Sequence, residues 1–116
     1  MSIKGIIYYE SSFETANEEL KKMVDRYNQM RIPVTKCHYK KIGSYAEFEN
    51  GDTWQVVRAN ESARGYRCNI AYIERSIDYN TYRCIIAPKM IDFPFSAFRL
   101  WGEGNLHLDF DPPLPF

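Results

Sequence analysis

His107 and Asp109 stand two residues apart in the segment Leu106-His107-Leu108-Asp109-Phe110, so both polar side chains share one face of a strand. That is the spacing of a general base and a group that orients it. An alternating edge strand carries the same pair as an ordinary wet face, and this reading is preferred. His38 and His107 lack the H-x-x-x-H or H-x-E spacing that gathers metal ligands on one face. Cys37 adjoins His38, and adjacent strand residues point to opposite faces, so no thiolate–imidazole pair forms. Cys68 and Cys84 lie in apolar surroundings and read as inert core thiols. The loop Tyr9-Glu10-Ser11-Ser12-Phe13 has neither the glycines nor the lysine that a phosphate cradle needs, and Glu10 repels phosphate. These residues predict no enzyme, no cofactor and no metal.

The remaining chemistry is that of binding. Arg58, Arg64, Tyr66, Arg67 and Trp101 are the candidate partner-binding residues. Arg64 and Arg67 flank Gly65-Tyr66, where glycine permits a tight turn that presents two guanidinium groups beside a ring. Lys36, Lys40 and Lys41 lie near His38 and Tyr39, and cations interleaved with rings suit single-stranded nucleic acid. Glu47, Glu49, Asp52 and Glu61 are interspersed, and 15 basic residues balance 15 acidic ones, so the whole molecule has no polyanion-seeking field. Tyr66, Tyr72, Tyr79, Tyr82, Phe93, Phe95, Phe98 and Trp101 exceed what a small core needs, and suit a protein-docking or homodimer face.

The elements that position these residues follow from pattern. At 116 residues with 45% hydrophobic content, the chain predicts one domain, 1–116, with its own core. Ile3–Tyr9 reads as a buried strand. Ser11 and Glu14 form a capping box, so a helix begins near Ser12 or Phe13. Its apolar stripe is Phe13, Ala16, Leu20, Met23, Val24, Tyr27 and Met30, and Pro33 forbids continuation. Val34–Tyr39 reads as a strand. Tyr45–Phe48 and Thr53–Ala59 flank Asn50-Gly51, the dipeptide of a two-residue hairpin turn. That register sets Glu47 opposite Trp54, Tyr45 opposite Val56, and Glu49 opposite Asp52 as like charges. Neither hairpin face is then purely apolar, which predicts an edge position. Cys68–Ile73 reads as a second central strand, and Asp78 caps a short helix through about Ile86. Phe95–Trp101 and Leu106–Phe110 read as extended segments, and 111–116 as an extended proline-rich tail. The order predicts an α/β fold, with a mixed sheet of five to seven strands, one long helix and one short helix.

The stretch from Phe48 to Pro88 carries a resemblance. Phe48-Glu49-Asn50-Gly51-Asp52 leads into a strand to Ala59, and Ser62-Ala63-Arg64-Gly65-Tyr66-Arg67 follows. Then come Ile70-Ala71-Tyr72-Ile73, Glu74-Arg75-Ser76-Ile77-Asp78 and a short helix ending at Ala87-Pro88. This order resembles the middle of the ATPase domain of phage terminase large subunits. The resemblance implies that Ile3–Tyr9 and Ile70–Ile73 are neighbouring parallel strands. It also implies that Glu74 matches the acidic position that serves magnesium, and that Arg75 falls where the catalytic glutamate stands. A cation there cannot deprotonate an attacking water. On the residues alone, Glu74 and Arg75 read as solvated charges at a strand end.

Met1-Ser2-Ile3-Lys4 enters a strand without signal-peptide regions, no apolar run approaches the roughly 20 residues of a membrane span, and three separated cysteines fit reduced thiols. The expectation is a cytoplasmic, non-enzymatic protein-interaction module of phage or mobile-element origin. It would bind a larger host or phage machine, as an inhibitor of host defence such as an anti-CRISPR protein, or as a packaging accessory. The alternative is a nucleic-acid-binding protein using the Arg58–Arg67 region, and the third reading is a small enzyme centred on His107 and Asp109.

Overall fold

The Lys4–Tyr9 segment forms strand β1, buried on both faces from Gly5 onward, which is why it is an unbroken apolar run. The computed structural model of the chain describes residues 2–39, 44–60, 68–89 and 97–106. Strands β2 (Val34–His38), β3 (Tyr45–Phe48), β4 (Thr53–Arg58), β5 (Ile70–Glu74) and β6 (Ala97–Trp101) join β1 in one mixed sheet of order β2-β3-β4-β1-β5-β6. β4 and β5 flank β1 in parallel, and β6 runs parallel to β5. β3 is antiparallel to both β4 and β2. Ile3–Tyr9 and Ile70–Ile73 are therefore parallel neighbours, as expected. The protein is an α/β domain with one long helix.

That helix, α1, spans Phe13–Gln29 and lies on one face of the sheet, burying Ala16, Leu20, Met23 and Tyr27. Its N-cap is Ser12, whose hydroxyl accepts from Thr15 N–H at 3.2 Å. The expected Ser11 cap is corrected, because Ser11 is engaged elsewhere. Met30, expected in the stripe, is 58% exposed because the helix has already ended there. Arg31 adopts φ 63, its N–H donates to Asn28 O at 3.0 Å, and Ile32 N–H donates to Tyr27 O at 2.9 Å. This is a Schellman closure with arginine in the left-handed position that glycine normally fills.

The hairpin register differs from expectation by one residue. Tyr45 pairs with Gln55, Ala46 with Trp54 and Glu47 with Thr53. Gly51 N–H donates to Phe48 O and Phe48 N–H to Asp52 O, each at 2.9 Å, so the loop is Glu49-Asn50-Gly51 with Gly51 at φ 94. Asn50 stabilises this longer turn by accepting from Asp52 N–H at 3.0 Å. A one-residue slip exchanges the faces. Ala46, Phe48, Trp54 and Val56 thus lie together under α1, and Tyr45, Glu47, Thr53 and Gln55 face the other way. β4 is interior, not an edge. The Trp54 ring lies over Gly5, where any Cβ would stand 2.3 Å from it.

The opposite face packs Ile6, Tyr8, Val57, Ala71 and Ile73 against Ile77, Tyr82, Ile85 and Ile86. Asp78 caps α2 (Tyr79–Thr81), accepting from Thr81 N–H at 2.7 Å, and the chain continues as a π-helical stretch Tyr82–Ile86 and a 3-10 turn Ala87–Lys89. Leu106 is buried here, while the expected strand beyond it, 107–110, lies outside the described residues, as does the 111–116 tail. Among the described residues no helix is long and apolar enough to cross a membrane.

Leu20 is fully buried, so Leu20→Ala is expected to lower unfolding free energy by roughly 2–5 kcal/mol in urea denaturation. Arg31→Gly is expected to act oppositely, raising it by about 1 kcal/mol, because the left-handed cost of an L side chain is removed. An unchanged urea midpoint in either variant contradicts the corresponding packing or closure.

Candidate functional site

Connections from β1 and β5 leave the sheet on opposite sides, through α1 on one face and the helical segment 79–89 on the other. The crevice at the carboxyl ends of such neighbouring parallel strands is where open α/β sheets take their ligands. Here Glu74, the last residue of β5, fills it. Its Oε1 accepts from Glu10 N–H at 2.7 Å and Ser11 N–H at 3.0 Å, and its Oε2 accepts from the Ser11 hydroxyl. The side chain is 4% exposed, which corrects the reading of a solvated strand-end charge. The physical reason is local. The turn between β1 and α1 leaves backbone N–H groups without ladder or helix partners, and a carboxylate satisfies several of them at once. Burial alone would raise the Glu74 pKa. The hydrogen bonds from Glu10 N–H, the Ser11 hydroxyl and N–H, and the Ser76 side chain outweigh it and hold the carboxyl below the ordinary glutamate range.

Arg75 is part of the same edge in a different way. Its guanidinium donates to Gly102 O at 3.0 Å, its N–H to Trp101 O at 2.9 Å, and its carbonyl accepts from Leu106 N–H at 3.0 Å. It therefore clamps the exit of β6 onto β5 and is not a free strand-end cation. Beside it opens a cavity of about 490 Å³, walled by Arg75, Asp78, Tyr79 and Asn105 over Ile77 and Leu106.

The predicted partner-binding residues separate. Arg58 closes β4 on this carboxyl edge and is exposed, donating to Glu10 O at 3.4 Å with its guanidinium 5.9 Å from the Tyr9 ring. Trp101 closes β6 on the same edge but is 3% exposed, and its Nε1–H donates to Tyr72 O at 3.1 Å. Its ring packs into the core under α1, so it is not an open docking side chain. Arg64, Tyr66 and Arg67, like His107 and Asp109, lie outside the described residues. Of the thiols, Cys68 is buried, and burial pushes its pKa up to about 12, partly offset by the Tyr8 hydroxyl. Cys84 is exposed, which corrects its reading as a core thiol. Cys37 and His38 do point to opposite faces, Cys37 half-buried toward α1 and His38 exposed.

At the opposite edge, a second polar centre has no counterpart in the sequence reading. Asp52 is 6% exposed and accepts from Ile3 N–H at 2.8 Å, the Tyr27 hydroxyl at 2.6 Å and Asn50 Nδ2 at 3.2 Å. Trp54 Nε1–H donates to the Tyr27 oxygen at 3.0 Å. Burial, reinforced by Asp52, pushes the Tyr27 pKa up to about 12, against the Trp54 hydrogen bond. Only Asn50-Gly51-Asp52 signalled it, as a turn in which the asparagine caps the aspartate's N–H.

The Glu74 arrangement fixes a pH dependence. Its folded-state pKa is depressed, so its contribution is fully present above the unfolded glutamate pKa of about 4.3. That contribution is lost as pH falls through the folded value. Glu74→Gln is expected to cost roughly 1.5–3 kcal/mol at pH 7, the worth of a hydrogen bond to a charged group. The gap between variant and wild type should close progressively below about pH 4. Urea titrations across that range check it, and a gap constant with pH contradicts the ionised assignment.

No protein-family model matches the chain and no curated protein matches it, so the reading of this site rests on its own geometry.

Proposed function

We propose that the protein is a non-enzymatic protein-interaction module, which acts by occupying a surface on a larger host or phage machine in the cytoplasm of an infected cell. The observation that carries this reading is Glu74. The position where an α/β sheet of this topology receives a ligand is filled by the chain's own carboxylate, on the very N–H groups an anion would use. Arg75, the residue the terminase resemblance sets at the catalytic position, spends its guanidinium on the Gly102 carbonyl. Both charges thus serve the architecture of the edge, and phage origin is supported by the resemblance to terminase large subunits.

A rigid edge bearing an accessible arginine suits protein recognition, because a planar guanidinium pairs with a partner carboxylate with defined geometry. Arg58 is that residue, preset by Glu10 O and the Tyr9 ring. Calorimetric titration with Mg-ATP at millimolar concentration is expected to give no heat of binding. Affinity capture from nuclease-treated host lysate is expected to retain one protein in stoichiometric amount, at least tenfold less with Arg58→Glu. Saturable micromolar ATP binding, or a captured partner indifferent to Arg58→Glu, contradicts the reading.

A further inference from the structure

The two faces of the sheet are covered unequally. α1 lies over one face, while on the other the helical segment 79–89 packs on Ile6, Tyr8, Val57, Ala71 and Ile73. The antiparallel half of that second face, on β2, β3 and β4, carries two cross-strand rows. Register sets His38, Tyr45 and Gln55 side by side in one, and Lys36, Glu47 and Thr53 in the next, which β1 continues with Lys4. Lys36, His38 and Lys4 are exposed, and Tyr45, Gln55, Glu47 and Thr53 are half-buried. The His38 ring lies 5.1 Å from the Tyr45 ring at 33°, and the Lys36 ammonium 5.9 Å from the Tyr45 centroid.

We propose that this face binds single-stranded nucleic acid, with bases stacking on His38 and Tyr45 and the backbone running past Lys36 toward Lys4. The charge favours a polyanion, since among the described residues of the two rows two lysines stand against one carboxylate, Glu47. Lys36 and Lys4 are three strand spacings apart, about 14 Å, a reach suited to an extended strand. His38, Tyr45 and Gln55 form the row beside that line, and Glu47 and Thr53 lie on it between the two lysines, so the amide and hydroxyl of Gln55 and Thr53 are placed to meet base edges. Stacking platforms flanked by cations are how open sheets and grooves hold unpaired nucleotides, while a duplex keeps its bases stacked on each other. A protein occupant is disfavoured by chemistry. Interface cores are depleted in lysine and glutamate, and this face sets Lys4, Lys36 and Glu47 around Tyr45, its one tyrosine among the described residues of the two rows. The site is separate from Arg58, which closes β4 at the carboxyl edge on the α1 side. It therefore adds to the protein-interaction reading without depending on it.

The test is fluorescence anisotropy of labelled 12-nucleotide oligo(U) and oligo(dT) with the full chain at low salt. Micromolar binding is expected, at least tenfold weaker for a duplex of the same length. His38→Ala should weaken it about fivefold or more, the low end of a lost base–ring stack. Lys36→Gln should flatten the dependence of log affinity on log salt by about 0.7, one phosphate contact on a single strand. Both residues are exposed, so circular dichroism melts should match wild type, and Arg58→Glu should leave oligonucleotide affinity within twofold. No anisotropy change up to 100 micromolar protein (about the weak limit of non-specific binding), equal affinity for duplex, or binding indifferent to both face variants overturns the proposal. So does binding abolished by Arg58→Glu alone.

Discussion

The Glu74 carboxylate is the interaction around which this domain is arranged. A parallel strand that turns directly into a helix presents converging N–H groups, and these must find an acceptor. Glu74 brings one from the neighbouring strand, meeting Glu10 N–H, Ser11 N–H and the Ser11 hydroxyl. The consequence reaches further than one turn. Because Ser11 is committed to Glu74, the helix cap passes to Ser12, which fixes where α1 begins and which residues face the sheet. The ordinary use of such a turn, holding a ligand anion, is taken over by a structural one.

Both ends of the central strand are secured in the same manner. At its start, Ile3 N–H donates to Asp52 and Lys4 N–H to Asn69 Oδ1 at 2.9 Å. At its finish, Glu10 and Ser11 donate to Glu74. Each acceptor comes from the start of β4, the start of β5 or the end of β5, the two strands paired with β1. The bonds to the Asp52 and Glu74 carboxylates are charge-assisted and that to Asn69 is neutral, and removing any of these acceptors leaves a part-buried N–H unsatisfied. They therefore select this strand order over slipped alternatives as well as contributing stability. Asp52 also ties in α1 through the Tyr27 hydroxyl, so helix, hairpin and central strand meet at one carboxylate.

The carboxyl ends of β1 and β5 are tied together by the chain's own Glu74, and the sheet presents different outer surfaces on its two halves. Those surfaces differ because the two halves of the sheet differ. Parallel strands need helical crossovers and are covered by them, whereas an antiparallel hairpin needs no crossover and leaves one face wet. That is why exposed His38 and Lys36 gather beside the half-buried Tyr45 ring on β2 and β3, while Arg58 stands at the end of β4, where the antiparallel and parallel halves meet.

The sequence by itself determined the elements. Ile3–Tyr9 and Ile70–Ile73 are runs whose composition alone makes buried strands, and the 3.6-residue spacing of Ala16, Leu20, Met23 and Tyr27 sufficed for α1. Asp78 announced its own helix start. It also determined that the β1–α1 loop lacks a glycine-lysine phosphate cradle, since residue types suffice for that. Only the tertiary structure decided the hairpin register, because Asn50-Gly51 fits either a two- or a three-residue loop, and the choice was made by burying Trp54 and Phe48 under α1. Only it decided that Glu74 is an internal ligand, since the donors it meets are more than sixty residues away in the chain. A charge at a strand end reads as solvated until its partners are known. Local pattern fixes what a segment becomes, and contacts distant in sequence fix what a charged residue is for.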